Sequence, residues 1–325
     1  MTKPLTDVPL VSIIVLNWNG KRFIDSFFDS VYTQTYPSQK IEILFVDNAS
    51  SDDSVAYFDS KHYPRARLVQ TGANYGYSGG NNYGFREAKG QYIVVCNNDL
   101  ELDPHWLENL VECATETDAD IVVPKLVYAG SNTINNAGSI LIPDSDWPNK
   151  ERGIDEPADL AEFNVRQEVT AFCGASPLFK RDFLEEVGLF DKRFFLYWED
   201  GDLSWRGQKK GKKYVYEPTA IAYHNASGST GGSTSPVFVY YVSRNRILIL
   251  VKNAKLRYAL KAFAKVGRDH VLYKIRDVFA AIKSGQGKKT ALRNLWLGIK
   301  IIAGTVALTP VMLCKRWKLI SEEHL

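Results

Sequence analysis

The 325-residue sequence predicts an open α/β protein with a mostly parallel sheet, continued by a basic helical appendage. Two observations carry this. Short apolar, β-branched runs alternate with segments of helical apolar spacing through the first 125 residues. That is the pattern of parallel strands joined by right-handed crossover helices. Charge is also unevenly placed: residues 253–325 hold 15 Lys or Arg and 4 Asp or Glu, whereas the remainder holds 25 and 33. The net charge of +3 therefore conceals an acidic body and a cationic tail suited to an anionic surface.

Residues 11–16 (VSIIVL) form a continuous apolar run, as expected of a strand buried on both faces, and stop at Asn17-Trp18-Asn19-Gly20. Apolar residues at 23, 24, 27, 28 and 31 predict a helix over 21–33. Residues 41–46 (IEILFV) are the second strand and end on Asp47-Asn48-Ala49-Ser50; a helix and a short third strand at 66–70 follow. Glycines at 76, 79, 80 and 84 then point to a helix start where backbone approaches a ligand closely. The GxGxxG dinucleotide pattern is absent. The strand that organises the rest is Tyr92-Ile93-Val94-Val95-Cys96. It stops at Asn97-Asn98-Asp99, with Glu101, Asp103 and a helix over 104–117 beyond it. Ligands of open α/β sheets sit outside the carboxyl ends of the strands, so a carboxylate with two amides there suits a divalent cation and a ribose.

Residues 120–124 read as a further strand. From 128 to 167 the chain is rich in Gly, Asn, Pro and mixed charge, which predicts an irregular excursion with a hairpin at 136–143 and Trp147 as its large aromatic. Strand character returns around the Gly-Ala-Ser break of 169–180, and a helix covers 181–190. The run Phe194-Phe195-Leu196-Tyr197-Trp198 leads into Glu199-Asp200-Gly201-Asp202, in the first turn of a helix, where carboxylates are stabilised. Short strands at 213–217 and 220–223 deliver His224, and residues 227–235 (SGSTGGSTS) have the composition of a flexible loop. Residues 301–314 are uncharged but shorter than the roughly 20 residues of a membrane span, and Pro310 interrupts them. An interfacial or re-entrant segment is the expectation. The four cysteines, at 96, 113, 173 and 314, follow no CxxC spacing, and three of them lie inside apolar segments, so they read as small buried hydrophobes in a reducing compartment. The start MTKPLTDVPL has no apolar signal-type core, which predicts a cytoplasmic location.

Taken in order, these segments resemble a known family. They are Asn17-Trp18-Asn19-Gly20, Val46-Asp47-Asn48-Ala49-Ser50, Asn74-Tyr75-Gly76 with Gly79-Gly80-Asn81-Asn82-Tyr83-Gly84, Asn97-Asn98-Asp99, and Trp198-Glu199-Asp200 with Asp202-Leu203 and Arg206. The set is similar to the inverting GT-A glycosyltransferases of family 2, especially the bacterial rhamnosyltransferase and galactofuranosyltransferase branch. The likeness covers about residues 8–250 and is specific to the superfamily, not to a sugar. It implies a GT-A fold, a Rossmann-like and mostly parallel sheet flanked by helices. The catalytic domain would occupy 1–235, with a nucleotide-sugar half to about 125 and an acceptor half over 126–235, ahead of the tail at 236–325.

The resemblance also implies roles. Asn17, Asn19 and Asp47 would contact the base and ribose of a nucleoside diphosphate sugar, with Gly76, Gly79 and Asn82 as the wall beside the base. Asn97-Asn98-Asp99 stands at the family's DxD position, with Asp99 as the metal carboxylate and His224 as a second ligand to Mn²⁺ or Mg²⁺. Asn97 replaces the usual first acid, which leaves a neutral hydrogen bond to the ribose. Asp200 matches the catalytic base and Glu199 is its neighbour; Trp198 and Trp147 are candidate acceptor contacts. Inverting transfer needs a carboxylate to take the acceptor proton and a cation for the leaving diphosphate. The implied donor is dTDP-rhamnose or a UDP-sugar, and the acceptor a glycan or lipid-linked glycan. The expected site of action is an anionic membrane surface at the cytoplasmic face, and no nucleic acid partner is expected. A nucleotidyltransferase would carry an early Gly-rich phosphate loop with Arg or Lys, which residues 17–20 are not. A non-catalytic sugar-nucleotide or glycan-binding protein would not need Asp99, Asp200 and His224 together.

Overall fold

The computed structural model describes residues 8–225 and 232–322, so the first seven residues and most of the expected 227–235 loop lie outside the described residues. The chain divides into two compact units. One holds residues 8–141, 149–195 and 199–225; the other holds 142–148, 196–198 and 232–322.

The first unit is built on a ten-stranded mixed sheet. In chain order its early strands are β1 (Val11–Asn17), β2 (Ile41–Asp47), β3 (Ala66–Gln70), β4 (Tyr92–Asn97), β5 (Leu100–Leu102), β6 (Ile121–Tyr128) and β7 (Ile134–Asn136). Next come β8 (Ser139–Leu141) and β9 (Asn149–Glu151), which form a separate two-stranded sheet. The sheet then takes β10 (Gln167–Val169), β11 (Leu178–Lys180) and β12 (Tyr214–His224). The order across it is β10-β12-β6-β11-β4-β1-β2-β3, with β5 on β12 and β7 on β6. The pairs of β1 with β2 and β4, β2 with β3, and β6 with β12 are parallel, while β11 runs antiparallel between β4 and β6.

The apolar runs make these strands because both faces of the sheet are covered. Val11, Ile13 and Val15 face Phe27, Phe28, Trp106 and Leu110 from the helices Ile24–Tyr32 and Trp106–Thr117. Ile14, Leu44 and Val46 face the other way, toward a cluster with Phe179 and Phe183. The helix Gly76–Glu87 lies on that second face. Gly80 and Gly84, one turn apart, sit against Leu16 and against Ile14 and Val46, and a Cβ at either would collide with those side chains. These two glycines serve helix-on-sheet packing, which corrects the expectation that all four open backbone to a ligand.

Three further expectations change. The 136–143 hairpin is absent: β7 pairs with β6, and β8 pairs with β9 across a longer turn. The two strands expected at 213–217 and 220–223 are one strand, β12, with a register shift between Glu217 and Ile221 around Pro218, which has no N–H to give the ladder. The short β5 was not expected from its acid-rich surroundings; it pairs antiparallel with the end of β12, opposing Leu100 to His224.

In the second unit the helices are Pro236–Asn253, Leu256–Gly267, Tyr273–Ser284 and Lys288–Glu322, with a π-turn at Arg268–Leu272. The last runs unbroken through Pro310, so the expected re-entrant break does not occur. By length and composition Lys288–Leu319 is long and apolar enough to cross a membrane. The 142–148 loop is tied within this unit by ion pairs of Asp144 with Lys255 (3.1 Å) and Asp146 with Lys261 (3.1 Å) and Lys265 (2.6 Å). Cys96 and Cys113 are buried and Cys173 half-buried, but Cys314 is exposed, against the reading of the cysteines as core hydrophobes.

Candidate active site

Parallel pairing brings the strand ends together. Asn17 stands opposite Asp47 in the β1–β2 register, and Leu16 opposite Asn97 in the β1–β4 register. Asn17 is fully buried and its amide is already engaged. It donates to Asp47 Oδ1 (3.2 Å) and Ser50 Oγ (3.1 Å) and accepts from Asn98 Nδ2 (2.7 Å). Gly20 makes room for this, since a Cβ there would strike the Asn98 and Asn17 amides. Asn19, at φ +53°, accepts from the Ser51 and Asp52 amides at 2.7 and 3.2 Å. Asn17 and Asn19 therefore cross-link the strand-end loops. Asp47 accepts from the Ser50 amide as well (3.1 Å). A cavity of about 540 Å³ opens beside this corner, lined by Asn19, Lys21, Arg22, Asp25, Asp52 and Tyr57.

The residues of the expected wall make close contacts within the fold. Asn82 is spent on the backbone of Phe190, donating to its carbonyl (2.8 Å) and accepting from its amide (3.2 Å). Gly76, at φ +66°, leaves space for the Phe195 carbonyl, which a Cβ would overlap. A Cβ on Gly79 would meet Tyr75. What carries a turn here is Asn48, which accepts from the Tyr75 amide (3.0 Å) and donates to the Gly76 carbonyl (3.1 Å). The sequence reading missed Asn48.

Asp99 and His224 do come together. Asp99 Oδ1 lies 3.2 Å from His224 Nε2, and both side chains are mostly buried. The β5–β12 pairing is what closes this gap across 125 positions of chain. The other ring nitrogen, Nδ1, donates to Asn135 Oδ1 (2.9 Å), so in the neutral ring the Nε2 lone pair faces the Asp99 carboxylate. With a proton on Nε2 the two form an ion pair; without it, two acceptors facing each other suit a cation between them. Ligands bound at about 2.1 Å to one ion lie about 3 Å apart, which this pair matches. Among the described residues no group of three or more His, Cys, Asp or Glu side chains is arranged to hold a metal, so the remaining ligands would come from elsewhere. Asn135, 89 positions from His224, gives no local sequence signal.

Glu199 and Asp200 open the helix Glu199–Lys209. Glu199 is buried and its Oε2 has no hydrogen-bond partner. Burial, then the charges of Asp200 and Asp202, push its carboxyl well above the usual range. Asp200 is also raised by burial, but amide donors from Gly201 (2.7 Å) and Gly174 (3.2 Å) oppose this. Both carboxyls are pushed up by burial, but Asp200 has two amide donors that favour its charged form, whereas Glu199 Oε2 has none. Glu151, on β9, feels the pair too: burial and then the Asp200 charge raise its carboxyl. Asp202 and Arg206 are scaffolding, a buried ion pair at 3.0 Å in which Arg206 also donates to the carbonyls of Val187 (2.6 Å) and Leu189 (2.7 Å).

Trp147 and Trp198, both in the second unit, meet edge to face with ring centroids 5.5 Å apart. Trp198 is 9% exposed and Trp147 48%, with the Arg246 guanidinium 4.8 Å over the Trp147 ring.

The family model described as glycosyl transferase family 2 matches residues 12–188. The chain is 28% identical over 249 residues to the O-antigen biosynthesis protein RfbC of Myxococcus xanthus, covering 74% of this chain and 19% of that protein. It therefore spans about a fifth of that relative. It is 25% identical over 256 residues to the N-acetylglucosaminyl-diphospho-decaprenol L-rhamnosyltransferase of Mycobacterium tuberculosis, covering 70% of this chain and 79% of that one. A mannosyltransferase from Pyrobaculum calidifontis, solved with GDP-Man and Mn²⁺, has the same fold, with a TM-score of 0.54, 16% identity, and coverage of 93% and 87%.

Proposed function

Because the chain belongs to glycosyl transferase family 2, we propose that it is an inverting glycosyltransferase that moves one sugar from a nucleoside diphosphate donor to a hydroxyl of a membrane-held glycan precursor. The single observation that carries the reading is the approach of His224 to Asp99, 3.2 Å, at the carboxyl ends of the strands. The donor we favour is dTDP-rhamnose, in keeping with the L-rhamnosyltransferase named among the relatives. A UDP-sugar would use the same residues.

Asp99 and His224 would hold one Mn²⁺ or Mg²⁺, their mixed oxygen and nitrogen donors suiting Mn²⁺ better. When bound, such an ion neutralises charge on the departing diphosphate. The chain's own residues do the rest. Asn97 and Asn98 line the donor side of the strand end, and Asp47 offers its carboxylate to the ribose. Asp200, ionised, takes the proton of the acceptor hydroxyl as its oxygen attacks the anomeric carbon and the bond to the diphosphate breaks. Glu199, protonated and adjacent, orients a sugar hydroxyl or Asp200 itself. Trp198 precedes this pair along the chain, and with Trp147 it forms an apolar platform for an acceptor ring. A thermal-shift panel of nucleoside diphosphate sugars with Mn²⁺ tests the reading, because a ligand at 100 times its Kd adds about 2.7 kcal/mol to stability. A shift with dTDP-rhamnose, accompanied by slow donor hydrolysis, supports it. A shift without any hydrolysis points to a sugar-nucleotide-binding protein.

We also assign the helical tail to an anionic membrane surface. Its exposed apolar residues include Trp317 (75%), Leu260 (71%) and Phe279 (69%), interleaved with the cationic excess of residues 253–325. Each Lys or Arg near such a surface contributes about 1 kcal/mol. The expected behaviour is sedimentation with vesicles containing phosphatidylserine and release by high salt or alkaline carbonate. Extraction by detergent alone would instead mean that Lys288–Leu319 inserts across the bilayer.

A further inference from the structure

The second unit holds a cation for which the fold supplies no acid. Arg246, on the helix Pro236–Asn253, is half-buried, and its Nε is shut off from solvent without a hydrogen-bond partner. Among the described residues its guanidinium has no ion pair. Two acids act on it through charge alone, Asp146 and Asp269, and each is engaged elsewhere. Asp146 pairs with Lys261 (3.1 Å) and Lys265 (2.6 Å), and Asp269 with Arg268 (2.7 Å). These six groups carry four positive charges and two negative, a surplus of two. Burial pulls the guanidinium below its ordinary pKa, as expected of a desolvated charge without a counter-ion. What Arg246 does touch is Trp147, its guanidinium lying 4.8 Å over the ring. Stacking covers one face of the guanidinium and leaves its in-plane N–H groups to other partners. Trp147 stays half-exposed and meets Trp198 edge to face. The loop that carries it is pinned by the ion pairs of Asp144 and Asp146.

We infer that Arg246 and Trp147 form a binding site for a glycosyl phosphate, the ring carrying the apolar face of a sugar and the guanidinium the phosphate oxygens. The inference rests on the reading of the protein as a transferase to a membrane-held glycan, and the group bound is then the phosphate or diphosphate that joins this glycan to its lipid. A guanidinium fork holds phosphate through parallel charge-assisted hydrogen bonds, which strengthen where water is excluded. Ring and cation are already placed against each other, so little order is lost on binding. A phospholipid head group fits less well. Diffuse attraction to an anionic surface needs exposed cations, which the tail has, and gains nothing from a desolvated one beside an aromatic ring.

The test uses full-length protein with dTDP and Mn²⁺ added to fill the donor site, and glucose 1-phosphate as the probe, its affinity read by ligand-observed NMR. Arg246→Gln is expected to weaken glucose 1-phosphate about 10- to 100-fold with dTDP affinity within about twofold. Its Tm should be unchanged or raised, because an unpartnered desolvated charge is removed. Arg246→Lys keeps the charge but loses the fork and should fall between; it carries the comparison if Arg246→Gln does not fold. Trp147→Ala is expected to weaken glucose 1-phosphate but not inorganic phosphate. Equal affinity in wild type and Arg246→Gln, or no binding of glucose 1-phosphate to wild type, overturns the site. A parallel fall in dTDP affinity also overturns it, by making Arg246 part of donor binding. Vesicles of phosphatidylcholine with phosphatidylglycerol separate the two lipid sources. If Arg246→Gln reduces sedimentation more than Lys289→Gln, an exposed cation of the tail, while glucose 1-phosphate binding is unchanged, the occupant is a phospholipid and the inference fails. Failure of wild type to bind dTDP overturns the transferase reading, whereas the glucose 1-phosphate comparison, independent of turnover, decides the site by itself.

Discussion

Asp200→Asn lowers turnover about 10²- to 10⁴-fold while donor affinity stays within a few-fold. The substitution keeps volume and one of the two amide contacts from Gly174 and Gly201, its NH2 group facing the other donor, and removes the proton acceptor. Glu199→Gln costs less, because burial pushes the Glu199 carboxyl toward its neutral form, which glutamine preserves. Single-turnover transfer and donor binding, measured for both variants, separate the roles. Near-normal transfer by Asp200→Asn with Glu199→Gln inactive would move the base to Glu199, and loss of donor binding in both would make the acids part of the nucleotide site. The pH profile adds a sign. The folded-state pKa of Asp200 lies above the ordinary aspartate value, so the rate rises with pH through a midpoint above that value, and Asp200→Asn removes this limb. Glu199 is raised further, so the folded state binds its proton more tightly than the unfolded chain does. Stability contributed by that proton is present at acid pH and falls as pH rises above the unfolded value of about 4.3. Relative to wild type, Glu199→Gln therefore gains stability from acid to neutral pH, which urea unfolding at two pH values would detect.

Asp99→Ala abolishes metal-dependent nucleotide binding, and His224→Ala weakens it by more than the roughly 10- to 100-fold typical of losing an outer partner such as Asn135. The reason lies in the acceptor-to-acceptor arrangement. With a neutral ring whose Nδ1 donates to Asn135, Nε2 and the Asp99 carboxylate, 3.2 Å apart, would be the two protein ligands of the proposed ion, and removal of either would leave one. Mn²⁺ titration of the protein with dTDP, by calorimetry or electron paramagnetic resonance, reads the affinity without reliance on turnover. Chelation should stop transfer and readdition of Mn²⁺ restore it. Full metal affinity in His224→Ala would make His224 a structural residue of the β5–β12 pairing.

The sequence by itself determined the layering of the sheet and the family. Runs such as VSIIVL and YIVVC can bury both faces only inside a covered sheet, and the polar residues that end them must lie at its carboxyl edge. Five short motifs in order made the glycosyltransferase resemblance legible, and the family match agrees. Which partners these polar residues take within the fold was not legible. Asn17, Asn19 and Asn82 are expected as ligand contacts, and each also bonds to a residue tens of positions away, Ser50, Asp52 and Phe190. The glycines at 80 and 84 likewise look the same whether a ligand or Ile14 fills the space above them. The link of Asp99 to His224 needed β5, three residues whose pairing is stabilised by the end of β12 and not by local propensity. Nor does any local pattern announce that Phe195, Tyr197 and Trp198 take left-handed backbone. For aromatic residues that conformation is unfavourable in an isolated chain, and it exists here because a buried amide supplied by a helix about 50 positions later satisfies the carbonyls it turns inward.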